Sequence, residues 1–527
     1  MNRALHAILT VCTCLWATNA HAQRSVYAVT IGNNEAPHSE SDLKTLRFAD
    51  DDAVRYHELF SSMGQSTLLS VLDQRTQKRY PELVARSQLP TMDNLLRVLD
   101  SYGAELKKEV AAGKTVAMFI TFSGHSGLGV DGQRYLALAD GGITRDVLLD
   151  QILRRLPSIP VHLIVDACHA GAVVGIRGGF DEEVEGRRVR LASAAHDAWL
   201  QQAHLARFPN VGALVASNAT QEAHEWSRIE SGVFTHQILS ALRGAADVNA
   251  DGRIEYSEVQ AFVSAANSGV MDPRAVAQVV GHPPAVDRRT PLIILDELQG
   301  AVRIEGSAEN LSHFYLENDG GLRVVDAHHG QNGWISLAVP RGPRYYLRTD
   351  DHEAGFATED TPVVALRSLH FKPRVIASRG STDEAYRTQL FETPFSVAYY
   401  RGFVDSRGLL PVETPAAHTA QMLRTDEVTD DKSMAIVLLA GASAALVTAG
   451  VTGYLALDAK QEFDATDRQA RARELADDYK RFGYASLASG LLAVAAGAAG
   501  WALWPGTASV ATDASSAREM LQVRGRF

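Results

Sequence analysis

Short apolar runs alternate with amphipathic segments over residues 25–298. The runs SVYAVTIGNN, TVAMFITFSGH, VHLIVDACH and VGALVASN, followed by PLIILDE, have the length and composition of strands buried on both faces. Helical spacing follows in ADDDAVRYHELFSSMG, and again over residues 92–111 and 145–156. This alternation predicts an α/β domain whose mainly parallel sheet is sandwiched by helices.

The pattern changes over residues 299–432. Short alternating runs (VRIEGS, HFYLEN, GLRVVD, WISLAV, YYLRTD) are separated there by Gly, Pro and Asn. Alternation of this kind is typical of half-buried strands joined by turns. We therefore expect a small all-β domain, built as an antiparallel sandwich, and its sequence contains no recognisable catalytic set.

Both ends of the chain carry long apolar segments. Residues 1–22 have a basic start at Arg3, an apolar core and a small-residue cleavage site at Ala20-His21-Ala22, which predicts a secretory signal peptide. Residues 435–457 and 483–504 carry no charge and are rich in small residues, which predicts two transmembrane helices within 433–505. A buried soluble helical hairpin is the alternative.

Basic residues set the expected orientation of that hairpin. The loop 458–482 holds six of them, which predicts that it lies in the cytoplasm and that residues 23–432 and the tail 506–527 lie outside. The chain has 527 residues and a formal net charge of −11, with no basic block, so nucleic acid is not an expected partner.

A cysteine and a histidine follow two of the predicted strands. The chain has three cysteines, and Cys168 is the only one outside the predicted signal peptide. A lone thiol is either an inert core residue or a reactive group. His125 ends the apolar run TVAMFITFSGH, which comes before the run that leads to Cys168. At the carboxyl ends of neighbouring parallel strands, a thiol and an imidazole form a nucleophile and its base. The N–H groups of Cys168 and Ser126 are candidate donors to the oxyanion.

The residues around these two positions resemble the caspase and metacaspase family of cysteine peptidases, particularly its bacterial members. The similarity rests on SGHSG at residues 123–127, DACHAG at 166–171, LRFADDDA at 46–53 and GVFTHQILSAL at 232–242. Ser126 stands where the family usually has glycine. The resemblance implies a cysteine-type endopeptidase, a hydrolase of protein or peptide substrates that needs no cofactor for its chemistry. Together with the apolar segments, it predicts a bacterial inner-membrane protein with a periplasmic catalytic domain.

The resemblance also implies a specificity pocket. Its matching positions are Asp166, Asp52 and Ser123, with Asp50 and Asp51 as alternatives to Asp52. A pair of carboxylates favours cleavage after Arg or Lys. Two alternative hypotheses remain: a peptidase specific for Asp, and a non-catalytic scaffold that binds a protein partner at the membrane.

A long connection follows the predicted nucleophile, over residues 172–210. It carries Arg187, Arg188 and Arg190 in polar, Gly-containing sequence, and connections of this length are often functional. Because family members can be cut in this region, these three arginines are candidate self-cleavage sites. The alternative is that they pair with the acidic residues at 181–185 on a solvated surface.

Residues 247–258 fit the spacing of an EF-hand calcium loop. Side chains at loop positions one, three, five and twelve, and a main-chain carbonyl at position seven, are the expected oxygen ligands. The glycine that the turn requires at position six is Gly252. The five expected ligands are Asp247, Asn249, Asp251, Arg253 (through its carbonyl) and Glu258. A metal-free turn whose acids cap the following helix is the alternative.

Overall fold

The computed structural model describes thirteen segments of the chain, all between residues 24 and 413. These are residues 24–36, 44–129, 131–167, 170–174, 182–184, 187–189, 204–216, 225–270, 276–308, 311–329, 333–374, 386 and 389–413. The predicted signal peptide, both predicted membrane spans, the loop 458–482 and the tail lie outside them. Within the described segments, no helix has the length and apolar character needed to cross a membrane.

The secondary structure alternates between strands and helices up to residue 298. The strands are β1 (Ser25–Asn33), β2 (Gly64–Ser70), β3 (Val116–Gly124), β4 (Ser126–Leu128), β5 (Arg134–Ala137), β6 (Gly142–Thr144), β7 (Val161–Asp166), β8 (Glu182–Val184), β9 (Arg187–Val189), β10 (Val211–Ala216), β11 (Glu225–Trp226), β12 (Ser231–Gly232), β13 (Arg253–Ile254), β14 (Val279–His282) and β15 (Ile293–Ile294). The α-helices are α1 (Ala49–Ser61), α2 (Gln74–Arg79), α3 (Met92–Ala111), α4 (Ala170–Val174), α5 (Val233–Ser240) and α6 (Tyr256–Asn267). Shorter helical turns cover Pro81–Leu83, Val147–Ile152, Leu153–Arg155, His204–Arg207, Ala241–Ala245 and Leu295–Glu297.

Six strands form the central sheet, in the order β14-β10-β7-β3-β1-β2. The five strands from β10 to β2 are parallel, and β14 joins the edge in the antiparallel sense. The predicted mainly parallel sheet is therefore confirmed. The assignment of PLIILDE to this sheet is wrong, because Ile293–Ile294 pairs instead with Arg253–Ile254 in a separate two-stranded ladder.

Apolar side chains bury both faces of this sheet. All nine residues of β3 are buried, as its sequence predicts. Along β1, Val26 and Ala28 join the core that contains the apolar face of α1, whereas Tyr27 and Val29 join the core that contains Leu95 and Leu99 of α3. Helices consequently cover the sheet on both sides.

The strand register aligns the carboxyl ends of three central strands. Asn33 pairs with Gly124, and Ser123 pairs with Asp166. Helix α1 passes close to the end of β1, since a Cβ atom at Gly32 would lie 2.3 Å from the main-chain oxygen of Ala49. Only glycine allows this approach, which brings the first turn of α1 to the same edge of the sheet.

Two further sheets follow residue 298. The strands are β16 (Val302–Ser307), β17 (Phe314–Asn318), β18 (Arg323–Ala327), β19 (Trp334–Val339), β20 (Tyr345–Arg348), β21 (His352–Phe356), β22 (Val363–Ala365) and β23 (Lys372–Pro373), with a helical turn at Leu366–Ser368. A three-stranded sheet has the order β19-β16-β22, and a fully antiparallel five-stranded sheet has the order β18-β17-β20-β21-β23. We call residues 302–373 the β region.

The expectation of an all-β domain up to residue 432 is wrong at its end. Residues Val397–Arg407 form an eleven-residue helix, α7, which begins at Ser396, whose hydroxyl accepts from the N–H of Tyr399. Helix α7 packs on α6, where the hydroxyls of Tyr400 and Ser257 lie 2.9 Å apart. Helix α7 forms because its apolar residues recur with helical spacing, not with the two-residue alternation of a strand.

Candidate active site

His125 follows β3 directly and is 9% exposed. Its Nε2 atom lies 3.0 Å from the main-chain oxygen of Lys44. Because a carbonyl oxygen only accepts hydrogen bonds, Nε2 carries the proton of the neutral ring, and Nδ1 carries the lone pair. The imidazole is thus held in the tautomer that can accept a proton through Nδ1.

The predicted nucleophile Cys168 lies outside the described residues. The preceding strand is described up to Asp166, which pairs with Ser123, and Ala167 is buried. His125 lies two residues after Ser123 in the sequence, and Cys168 lies two residues after Asp166. The dyad of Cys168 and His125 therefore stays a prediction, supported by the register of the two strands that carry it.

A buried carboxylate, Asp52, and a half-buried one, Asp166, lie beside the ends of β3 and β7. Asp52 accepts a hydrogen bond from the Ser123 hydroxyl at 2.9 Å, and the β3–β7 register places Asp166 opposite Ser123. A Cβ atom at Gly232 would lie 2.7 Å from Asp166 Oδ2 and 3.1 Å from Asp52 Oδ2. The three residues of the expected specificity pocket thus lie close together, with Gly232 beside both carboxylates.

The start of α5 supplies hydrogen bonds to both carboxylates. Thr235 donates its N–H (3.2 Å) and its hydroxyl (2.7 Å) to Asp166 Oδ2. The Ser231 hydroxyl donates to Asp52 Oδ1 at 2.5 Å, and the Gly232 N–H lies 3.2 Å from Asp52 Oδ2. The donors are hydroxyls and main-chain N–H groups, so these hydrogen bonds bring no full positive charge to either carboxylate.

Burial dominates the electrostatics of this pocket. It raises the pKa of Asp166 to about 6, although the hydrogen bonds from Thr235 act in the opposite direction. Burial and the charge of Asp166 raise the pKa of Asp52 well above its usual range, while Arg55 and the two serine hydroxyls oppose the rise. A cation that entered the pocket would favour the ionised form of both groups.

Asp50 and Asp51, the two alternatives to Asp52, have other partners. Asp50 accepts from the side-chain amide of Asn34 and from the N–H of Asp73, both at 2.8 Å. Asp51 forms an ion pair with Arg75 at 2.7 Å. These contacts tie α1 to the adjacent loops, so the geometry favours Asp52 as the pocket residue of this acidic run.

Sequence reasoning missed the residues that shape the pocket from α5. GVFTHQILSAL belongs to the family resemblance, but the pattern did not indicate which of its residues face the carboxylates. Thr235 and Ser231 act across 69 and 179 positions of the chain. Ser231 and Gly232 directly before α5, with Thr235 in its first turn, offer several main-chain and hydroxyl donors, and that was the available signal.

Ser126, the expected oxyanion donor, begins β4 and is buried. It pairs with Leu136 in a three-stranded ladder formed by β4, β5 and β6. The neighbouring carbonyl of His125 accepts from the Ala137 N–H at 2.9 Å. The backbone next to His125 is therefore held by sheet pairing, and the oxyanion role of Ser126 and Cys168 stays a prediction.

The EF-hand-like loop is described in full. Asp247 Oδ2 accepts from the Gly252 N–H at 2.9 Å, and Glu258 accepts from the N–H groups of Val248 and Glu255 at 3.1 and 2.9 Å. Gly252 has φ of +75°, which accounts for glycine at the turn. Across the described segments, no three or more His, Cys, Asp or Glu residues are grouped so that they could hold a metal ion.

Two of the three candidate self-cleavage sites lie in a short hairpin. Strand β9 contains Arg187 and Arg188, and it pairs antiparallel with β8, where Glu183 stands opposite Arg188. Arg190 lies outside the described residues. The main chain at Arg187 and Arg188 is thus already engaged in strand pairing, which a peptidase would have to open before it could bind the segment.

Comparison with known families agrees with this architecture. Residues 25–279 match the model of the caspase domain family. This match identifies a caspase domain in that part of the chain and supports a cysteine-type peptidase, a hydrolase of peptide bonds. No curated protein sequence matches the chain.

Proposed function

We propose that the protein is a cysteine endopeptidase that cleaves after Arg or Lys. The observation that supports this most strongly is the convergence of Asp52, Asp166 and Ser123 at the edge of the sheet that also carries His125. The hydrogen bonds that the described residues donate to Asp52 and Asp166 come from hydroxyls and main-chain N–H groups, so this carboxylate pair favours a cationic side chain as its ligand. The same pocket would repel the Asp side chain that an Asp-specific enzyme binds.

The proposed chemistry uses a Cys168–His125 dyad. His125 Nδ1 accepts the thiol proton of Cys168, and the thiolate sulfur attacks the carbonyl carbon of the peptide bond. The C–N bond then breaks, the leaving amine takes the proton from His125, and a thioester remains. Water hydrolyses the thioester, which releases the new carboxyl group and restores the thiol. N–H groups of Ser126 and Cys168 would stabilise the oxyanion.

Reporter peptides with Arg, Lys or Asp before the scissile bond test this proposal. Wild-type protein should cut the Arg and Lys reporters, and Cys168→Ala should cut none. Asp52→Asn should lose the basic reporters, whereas Asp50→Asn, in the same turn of α1, should retain them. Preferred cleavage of the Asp reporter would overturn the pocket assignment, and an active Cys168→Ala protein would overturn the mechanism.

Calcium binding at loop 247–258 is a second part of the proposal. The oxygen donors Asp247, Asn249, Asp251 and Glu258, with the Arg253 carbonyl, are the ligand types that Ca²⁺ prefers. Asn249 also donates to the main-chain oxygen of Glu413 at 2.7 Å, so the loop is tied to the segment after α7. Calorimetric titration with CaCl₂ should give heat with the wild type and none with Glu258→Gln. An equal response of both proteins would reject the site.

Export and membrane attachment complete the proposal. The signal peptide at 1–22 and the two apolar spans support an inner-membrane protein of bacteria whose peptidase domain faces the periplasm. Single cysteines introduced into the loop 458–482 of a Cys168→Ala protein should resist a membrane-impermeant thiol reagent in whole cells. Labelling of that loop from outside would contradict the orientation.

A further inference from the structure

A buried carboxylate in the β region collects an unusual set of donors. Asp326, on β18, is 0% exposed. Its Oδ2 atom lies 2.6 Å from His236 Nε2 and 2.5 Å from Arg323 Nε, and its Oδ1 atom lies 2.6 Å from His313 Nε2. Arg323 and His313 belong to the β region, whereas His236 belongs to α5.

A second contact joins the same two elements. The N–H of Asp326 donates to the Ser240 hydroxyl at 3.1 Å, and that hydroxyl donates to the main-chain oxygen of His236 at 2.8 Å. His236 and Ser240 are one turn apart on α5, so β18 holds one face of this helix at two points. We call Asp326, Arg323, His236 and Ser240 the β18 clasp.

The first turn of α5 lies beside the expected specificity pocket. Thr235, which holds Asp166, directly precedes His236 in the clasp. The space at Gly232 is too small for a Cβ atom, so small shifts of the helix start would change the room beside both carboxylates. Arg323 also lies over the ring of Trp226 at 5.4 Å, and Trp226 pairs with Ser231 in the β11–β12 hairpin.

We propose that Asp326 is a positioning residue for the specificity pocket, and that the β region is thereby a working part of the peptidase rather than an independent module. The inference rests on the proposed function of that pocket. A fully hydrogen-bonded buried carboxylate holds its partners in one arrangement, and its removal leaves their donors without an acceptor. Through His236 and Ser240, the clasp sets where α5 begins, and the start of α5 sets the donors on Asp52 and Asp166.

Kinetics of full-length Asp326→Asn test the inference. The KM for an Arg reporter should rise about tenfold, as is typical when a supporting hydrogen-bond partner is lost, while kcat changes far less. Alkylation of Cys168 by iodoacetamide should keep its rate, because the dyad is not touched. Glu317→Gln, which loses an ion pair with Arg348 elsewhere in the β region, is the matched control and should leave KM unchanged.

Hydrogen exchange gives a readout that does not need activity. In full-length protein carrying Cys168→Ala, Asp326→Asn should accelerate exchange of the N–H groups of Gly232 and Thr235 but leave β20 and β21 unchanged. If β20 and β21 also exchange faster, Ser240→Ala, a milder change, provides the decisive comparison. Unchanged exchange at Thr235 together with an unchanged KM in Ser240→Ala would overturn the inference. A wild type that cuts no basic reporter would instead reject the proposed function. The exchange rates at Gly232 and Thr235 would then still show whether the β18 clasp positions the start of α5.

Discussion

At the scale of single residues, the proposed substrate-binding carboxylate Asp166 lowers the stability of the folded protein at neutral pH. Asp166 is half-buried, and its two hydrogen bonds from Thr235 offset only part of the cost of removing its charge from water. Its pKa rises from 3.8 to about 6 as a result. Between these values the folded protein binds more protons than the unfolded chain, so the free energy of unfolding falls as the pH rises.

Asp166→Asn should therefore stabilise the protein at neutral pH while impairing its activity. The folded carboxyl is protonated at pH 4, so variant and wild type should then melt at similar temperatures. At pH 7 the variant should be more stable by roughly 3 kcal/mol, the equivalent of the pKa rise. Its kcat/KM for Arg reporters should fall about 100-fold, because one charge of the carboxylate pair is missing. Thermal melts at both pH values check the sign, and a variant destabilised equally at both would contradict it.

His125→Ala should slow peptide cleavage and also the alkylation of Cys168. The Lys44 carbonyl orients the ring, so in the proposed dyad Nδ1 is the atom that would accept the thiol proton. Without it, kcat should drop by about 10²–10⁴, and iodoacetamide should alkylate Cys168 more slowly at neutral pH. An alkylation profile that is identical in wild type and variant would show that His125 does not act on the thiol.

At the scale of elements, strands and helices were predictable where one pattern dominated. Strand β3 is a single apolar run, and α3 has strong helical periodicity; both were expected within one residue or so of their observed bounds. The run PLIILDE has the same composition but pairs with β13, because composition does not specify a strand's partner. Strand β14 escaped prediction because it is short and only half buried. The Thr235–Asp166 contact depends on tertiary packing, which no local pattern encodes.

The β8–β9 hairpin makes self-processing an event that requires opening of a structural element. Because Arg187 and Arg188 lie in a paired strand, their segment must separate from β8 before it can occupy an extended substrate groove. Wild-type protein incubated with calcium should yield fragments ending at Arg187, Arg188 or Arg190, detectable by mass spectrometry. Cys168→Ala protein should yield none, and neither should the triple variant in which all three arginines become Gln. Fragments of the same mass from Cys168→Ala would identify a contaminating protease.

At the scale of the whole molecule, the peptidase domain and the β region share one hydrophobic core. The same cluster contains Ile238 of α5, Phe262 of α6 and Ile304 of β16. The close fit extends to the backbone, since a Cβ atom at Gly244 would lie 2.1 Å from the main-chain oxygen of Ser336 on β19. Two parts joined in this way should unfold together rather than as separate domains.

A chain that ends at residue 298 should therefore fail to form a native peptidase domain, although the family match ends earlier, at residue 279. Truncation exposes the apolar faces of α5 and α6 and leaves His236 without Asp326. We expect the fragment 23–298 to bind a hydrophobic dye, to lose near-UV circular dichroism and to melt without a cooperative transition. The fragment 23–413, which keeps the β region and α7, should melt in one transition. If the shorter fragment melted as cooperatively as the longer one and kept the same KM for an Arg reporter, the β region would be a separate module, and the shared core would contribute little to the fold.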